Sequence, residues 1–467
     1  MRTAMWAAMV GGRANTKLIV ARSGTLGSRF QIVSTPISPA EPTMSKEIAL
    51  QNLDLSAYIR SGDTVMWGQG PAEPVPLSQA LMAQRKSIGH CNVFLGATYS
   101  DSIKPEYADC ISFSAYIGAG TNRSLAKAGV LDVYPLHYSQ LTEAIRSGKL
   151  KIDVLFLQVA PADAQGRYSL SMAYEYVVPA IDNARVIIAE VNDQAPWTHG
   201  ERTLTDKDID VIVRTSRAPV DMPPAKAGET EIAVARNIAN LVEDGSTLQF
   251  GIGALPEAIL SQLADRRDLG VHSGAIGDQM AVLTEAGVIT NARKSIDPGV
   301  TIAGVILGNK RLRDFCHNNP GVQFRSSAYT HSADVLARID KFVALNAAIE
   351  VDLTGQINAE VAAGTYVGAV GGALDFTRAA NRSKGGLAIV GLGAVVGSGE
   401  KTATRIVAKL SGPVSTPRSD TGLVVTEFGV ADLRNCSMRE RVKRMIAIAH
   451  PQFREQLEKA GAAVMNG

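Results

Sequence analysis

The sequence predicts an α/β protein of two related domains, each a largely parallel sheet covered by helices, with a cleft between them. Three observations carry this. The chain has 467 residues, too many for one ordinary hydrophobic core. From about residue 50, short β-branched runs alternate with amphipathic stretches, the pattern of parallel strands joined by helices. The stretch IRSGDTVMWGQGPAEPVPLSQAL (60–82) is echoed by LVEDGSTLQFGIGALPEAILSQL (241–263): strand, G-x-G turn, proline-opened helix in both.

In chain order, buried strands are expected at DTVMWG, CNVFLGA, IDVLFLQVA and RVIIAEV, then at TLQFGIG, GVTIAGVIL, KFVALNAAIEV, LAIVGLG and GLVVTEFGV. Apolar residues at helical spacing run through PVPLSQALMAQRKSIG, HYSQLTEAIRSGKL and EIAVARNIANLVEDG. The proline-rich, mixed-charge stretch around 214–231 reads as a linker. The expected divisions are an extension or targeting segment over 1–47, one domain over 48–215, a linker over 216–231, and a second domain over 232–462.

Composition excludes several classes. Positive and negative charges nearly cancel, 47 against 45, and no basic stripe is interleaved with aromatics, so no nucleic-acid partner is expected. Cys91, Cys110, Cys316 and Cys436 are scattered, which fits a reducing compartment and neither a disulfide framework nor a zinc site. The seven histidines show no metal-ligand spacing. No apolar run is long enough to span a bilayer, so no membrane partner is expected. Residues 1–40 carry arginines and serines and no acid. They read as an extension ahead of a start at Met44, giving a cytoplasmic protein, or as a transit peptide, giving a mitochondrial one.

The strongest local unit is GIGALPEAIL (251–260). Glycines between a strand and a helix let backbone N–H groups approach an anion at the helix N-terminus, and Pro256 suits a first helical turn. As a bare spacing it fits a plain tight turn equally well. GAVGGALDF (368–376) is a second glycine turn, whose N–H groups at Gly371 and Gly372 suit an oxyanion or an amide, or merely a crowded corner. GLGAVVGSG (391–399) imitates a dinucleotide fingerprint but lacks the βαβ context and the ribose-binding acid, so a nicotinamide site is rejected. No G-x-S-x-G elbow marks an α/β-hydrolase. Polar residues at 350–360 and the loop holding Asn192, Trp197, Thr198 and His199 fit binding or structural roles alike.

The order of these motifs is more telling than any one of them. EVNDQAPWTHG, EDGSTLQFGIGALPEAIL, LGVHSGAIGDQMAVLTEAGVITN, AIEVDLTGQINAE, GAVGGALDFTRAA, RSDTGLVVTEFGVADL and IAHPQFREQL follow one another as in the acetyl-CoA hydrolase and 4-hydroxybutyrate CoA-transferase family. From about 48 to 462 the chain resembles that family. The resemblance implies a CoA-transferase-like fold, coenzyme A as a substrate with no permanently bound cofactor, an acyl-CoA and a small carboxylic acid as partners, and a homodimer. In that family a glutamate carboxylate attacks the thioester, and the anhydride is opened by CoA thiolate to a glutamyl-CoA thioester that a second acid reverses. Carried over, Gly251, Ile252, Gly253, Ala254 and Leu255 lie along CoA, Gly371 and Gly372 approach the thioester, and Ile349 offers backbone near the thiol arm.

The family's H-S-E or H-T-E reads here His272, Ser273, Gly274, with Asp278 and Glu285 in step behind. Glycine cannot attack a thioester. VGLGAVVG and STPRSD also depart from the family's turns, which suggests a reshaped pocket. Three readings follow. The first is an acyl-CoA:carboxylate CoA-transferase for short-chain acids such as acetate, butyrate or 4-hydroxybutyrate, with Glu73 as the substitute carboxylate unless the acceptor acid attacks directly. The second is an acyl-CoA hydrolase with Asp278 or Glu73 as base. The third is a non-catalytic subunit that binds CoA esters.

Overall fold

The computed structural model describes residues 45–223 and 226–466. The expected extension and the start at Met44 fall outside these residues. Strands β1 (Lys46–Glu47), β2 (Thr64–Trp67), β3 (Cys91–Leu95), β4 (Ile111–Ala115), β5 (Leu131–Val133), β6 (Val154–Val159), β7 (Val186–Asn192) and β8 (Val211–Thr215) form one sheet. Its order is β1-β8-β7-β6-β2-β3-β4-β5 and every pairing is parallel. The central strands β6 and β7 are buried at every position, which is why their sequences run mostly apolar without alternation, Gln158, Glu190 and Asn192 apart. Helix α1 (Val75–Ile88) follows β2 and ends at Gly89, whose φ of +84° an L side chain rarely adopts. Its Leu77, Leu81 and Met82 join Val65, Val93 and Phe156 in one apolar cluster. Helix α2 is Tyr138–Arg146.

The second large sheet holds β9 (Thr247–Phe250), β10 (Gly270–Val271), β11 (Phe342–Ala347), β12 (Leu387–Gly391), β13 (Leu423–Thr426) and β14 (Gly429–Asp432), in the order β10-β9-β11-β12-β13-β14. It is parallel except for the hairpin of β13 with β14. Helices α3 (Glu229–Ala239), α4 (Ala254–Ser261) and α5 (Ala373–Arg382) lie against it. The echoed segments share a strand, a glycine turn and a helix: β2 reaches α1 through Gly68-Gln69-Gly70 and a 3-10 turn at Gly70–Ala72, whereas β9 enters α4 directly after Gly251-Ile252-Gly253.

Two local differences bear on the site. GVTIAGVIL, expected as one strand, breaks into Thr301–Ala303 and Val305–Ile306, which pair in different small sheets. The break is at Gly304, whose N–H donates to the Gly274 carbonyl at 3.0 Å and whose α-carbon has no room for a side chain. The stretch expected as a linker is tied down where it is described. Arg217 pairs with buried Glu190 at 2.7 Å, and Arg313 reaches Asp221 at 2.9 Å.

Candidate active site

Strands of both large sheets end at one cavity of about 200 Å³. This is where ligands collect in open parallel sheets, because loops and helix N-termini converge beyond the carboxyl ends of the strands. From the first sheet come Gln69, Ala97 and Tyr116, joined by Tyr138 and Glu175. From the second come Gln249, Gly251, Ile252 and Asn346, with Gly274, His331, Gly371 and Gly372 closing the wall.

Two helices begin there. Gly251 and Ile252 line the cavity just before α4, and Gly371, Gly372 and Ala373 line it at the start of α5. Gly253, Ala254 and Leu255 form the first turn of α4 behind this wall and are not among the lining residues. Gly371 has φ +56°, in the left-handed region, so it is the residue that turns the chain into α5. The turn is fastened to the first half of the chain: its carbonyl accepts from the Tyr138 N–H at 3.1 Å, and Asp375 accepts from the Ser139 hydroxyl at 2.8 Å. The positive ends of both helix dipoles are thereby held toward one small space.

Glu175 is the carboxylate among the lining residues. Its side chain is buried. One oxygen accepts from Gln69 Nε2 at 2.7 Å, and the other, Oε2, has no partner. Gln69 is itself fixed, because its Oε1 accepts from the Tyr116 hydroxyl at 2.7 Å and the Ala97 N–H at 3.0 Å. Burial holds the Glu175 carboxyl up at about 8, against a small opposing pull from the Gln69 hydrogen bond.

His331 lines the same cavity. The ring packs between Tyr138 and Phe376, with centroids 4.8 and 4.4 Å away, and Nδ1 lies 2.9 Å from the Thr330 hydroxyl. Burial drives its pKa down to about 3, so the imidazole is neutral. The ring lies directly over Gly274 and Gly372: a Cβ on Gly274 would stand 2.8 Å from His331 Cε1, and one on Gly372 would collide with Nε2.

Several sequence expectations are placed elsewhere. Glu73 does not line the cavity. It is buried under α1, where its Oε1 accepts from the Ser78, Ser100 and Ser102 hydroxyls, the first two at 3.0 and 2.8 Å. Asp278 accepts from the Asn309 N–H at 3.0 Å and orders that turn. Ile349 is outside the lining residues, its N–H given to the Asn358 carbonyl at 2.9 Å and its carbonyl taken by Arg405 Nε at 2.7 Å. Asn192 braces Gln158 and Arg217. Sequence reasoning missed Glu175 and His331. The available signal for Glu175 was one acid in the otherwise uncharged run SLSMAYEYVVPA.

The comparisons agree with this architecture. Residues 47–224 match the model of the acetyl-CoA hydrolase/transferase N-terminal domain, and residues 308–461 match that of the C-terminal domain. This chain belongs to the acetyl-CoA hydrolase/transferase family. It is 35% identical over 401 residues to the 4-hydroxybutyrate coenzyme A transferase of Clostridium kluyveri, covering 85% of this chain and 94% of that one. The structure of RipA from Yersinia pestis superposes with a TM-score of 0.85 at 30% identity, over 90% of this chain and 98% of that one. That of a 4-hydroxybutyrate CoA-transferase from Porphyromonas gingivalis gives 0.75 at 29% identity, over 89% and 96%. Among the described residues of this family member, no helix is long and apolar enough to cross a membrane.

Proposed function

We propose that this chain is an acyl-CoA:carboxylate CoA-transferase that moves CoA between short-chain acids such as acetate, butyrate or 4-hydroxybutyrate. The observation that carries this is the cavity itself. Two glycine-opened helix N-termini and one buried carboxylate surround a space of about 200 Å³. That is smaller than the roughly 300–1,000 Å³ of drug-sized sites, and it suits a short acyl group. Gly251 and Ile252 are the expected contacts of the pantetheine arm, backed by the turn Gly253-Ala254-Leu255, with Gly371 and Gly372 at the thioester carbonyl. The side-chain amides of Gln249 and Asn346, 3.3 Å apart on adjacent strands, supply polar partners on the same wall. CoA enters as substrate and leaves as product. A cytoplasmic homodimer is the expected form.

One observation favours a second reading, acyl-CoA hydrolysis. No carboxylate stands at Gly274, and Glu175, which burial holds up at about 8, is a lining group basic enough, once ionised, to take a proton from a water molecule. Incubating purified protein with acetyl-CoA, with and without butyrate, and following both free thiol and new CoA esters separates the two. Acceptor-dependent butyryl-CoA without thiol release supports transfer. Thiol release that ignores the acceptor supports hydrolysis.

A further inference from the structure

We infer that Glu175 is the residue that carries first the acyl group and then CoA, in place of the side chain that Gly274 lacks. This rests on the transferase reading above and names its nucleophile. Glu175 is the carboxylate among the cavity's lining residues, and its Oε2 is buried with no hydrogen-bond partner, as an atom reserved for a ligand would be. It also stands beside the vacant position. Gly304 bonds to the Gly274 carbonyl, and a Cβ on Gly304 would lie 3.4 Å from the Cβ of Glu175. The glycine that breaks the expected strand therefore lets the Glu175 segment lie one backbone away from Gly274. His331 meanwhile fills the volume a longer residue at 274 would need. The carboxylate has in effect moved from one wall to its neighbour.

Gln69 holds Oε1 and leaves Oε2 as the attacking atom. Oε2 forms a bond to the thioester carbonyl carbon, the C–S bond breaks, and CoA thiolate leaves with the electron pair. The thiolate then adds to the Glu175 carbonyl carbon, the anhydride C–O bond breaks, and the first acid departs as its carboxylate. The acceptor carboxylate attacks the Glu175–CoA thioester and expels thiolate. Thiolate attacks the acceptor's acyl carbon and releases the Glu175 carboxylate. No proton, oxidant or reductant is consumed. The N–H groups of Gly371 and Gly372, at the start of α5, are the donors available to the oxyanions formed at each addition.

The test traps wild-type protein with acetyl-CoA and borohydride, which reduces a glutamyl-CoA thioester to an alcohol, and maps the modified peptide. In parallel, Glu175→Gln and Glu175→Asp are assayed for acetyl-CoA to butyrate exchange. The expected results are an alcohol at position 175 and a loss of exchange in Glu175→Gln on the order of a thousandfold or more. Binding of CoA, measured by calorimetry, should be retained. An alcohol on another residue, exchange without any adduct, or a freely exchanging Glu175→Gln overturns this inference while the transferase reading stands. No exchange by the wild type overturns that reading and this inference together. Should Glu175→Gln fail to fold, the wild-type peptide map decides alone.

Discussion

His331 lies across Gly274 so closely that a Cβ there would stand 2.8 Å from its Cε1 and 3.0 Å from its Nε2. The two residues are one unit: glycine makes room for the ring, and the ring fills what glycine leaves. Restoring a glutamate at 274 is therefore not a simple repair.

Gly274→Glu should destabilise the protein by about 1–3 kcal/mol, the usual cost of overpacking a closed core site. Adding His331→Ala should recover much of that loss. A denaturant double-mutant cycle should show coupling of at least about 1 kcal/mol between the positions. Additive effects would mean that the ring and position 274 do not compete for space.

Exchange should depend on pH through Glu175. Attack needs the ionised carboxylate, and burial holds this group near 8. The rate should climb as pH rises from 6 toward the pKa of about 8 and level off above it. A profile already flat from pH 6 upward would mean that the reacting group titrates lower than Glu175 does.

Stability should carry the same two groups with opposite signs. Glu175 titrates near 8 folded, against 4.5 for a free glutamate, so the folded state keeps a proton that the unfolded state has lost. Its contribution is whole below pH 4.5 and is lost as pH rises toward 8. Glu175→Gln removes that loss and should melt higher than the wild type above pH 8, with the difference vanishing near pH 4.5. His331 and His272 are both driven by burial down to about 3 from 6.5, so the unfolded chain takes up their protons first. Their contribution is present above 6.5 and is lost as pH falls toward 3, and His331→Asn should flatten this acid limb in melting curves.

Glu73→Gln should keep exchange activity within a few-fold of the wild type while lowering the melting temperature. Its Oε1 is committed to three serine hydroxyls and its carboxyl is outside the cavity lining. Removing charge from a buried acceptor of several bonds weakens each of them, at about 1 kcal/mol per bond. A large loss of exchange without a change in stability would return Glu73 to the chemistry.

How much of this was legible in the sequence follows from what kind of signal each part leaves. The central strands, such as Val154–Val159, are buried on both faces and read as mostly apolar runs without alternation, interrupted there only by Gln158. Ile111–Ala115 was missed because its serines alternate with apolar residues, with Ser112 exposed and Ser114 half-buried. The glycine turns at 251–253 and 371–372 were legible because Gly253 and Gly371 have positive φ and Gly372 has no room for a Cβ beside His331, and Gly251, Ile252, Gly371 and Gly372 do meet at one cavity. Gly304 was not, because a glycine inside GVTIAGVIL looks like any strand glycine until its neighbour across the gap is known. Glu175 and His331 are far apart in the chain and are brought together by long-range contacts such as the bond from Ser327 N–H to the Glu175 carbonyl at 3.2 Å. No periodicity records such a contact. Glu73 drew attention because it sits in a turn echoed at 251–253, yet the residue of that turn that faces the cavity is Gln69.

The central claim is that this cavity passes CoA between two acids without admitting water, and the source of oxygen tests it most directly. The protein would be incubated with butyryl-CoA and heavy-oxygen-labelled acetate in ordinary water, and the released butyrate analysed by mass spectrometry. In transfer through an enzyme carboxylate, the acceptor's oxygen enters the enzyme and leaves with the next acid released. We predict that label moves from acetate into butyrate as acetyl-CoA forms. Butyrate that takes its new oxygen from water, with thiol released in step, would contradict the account.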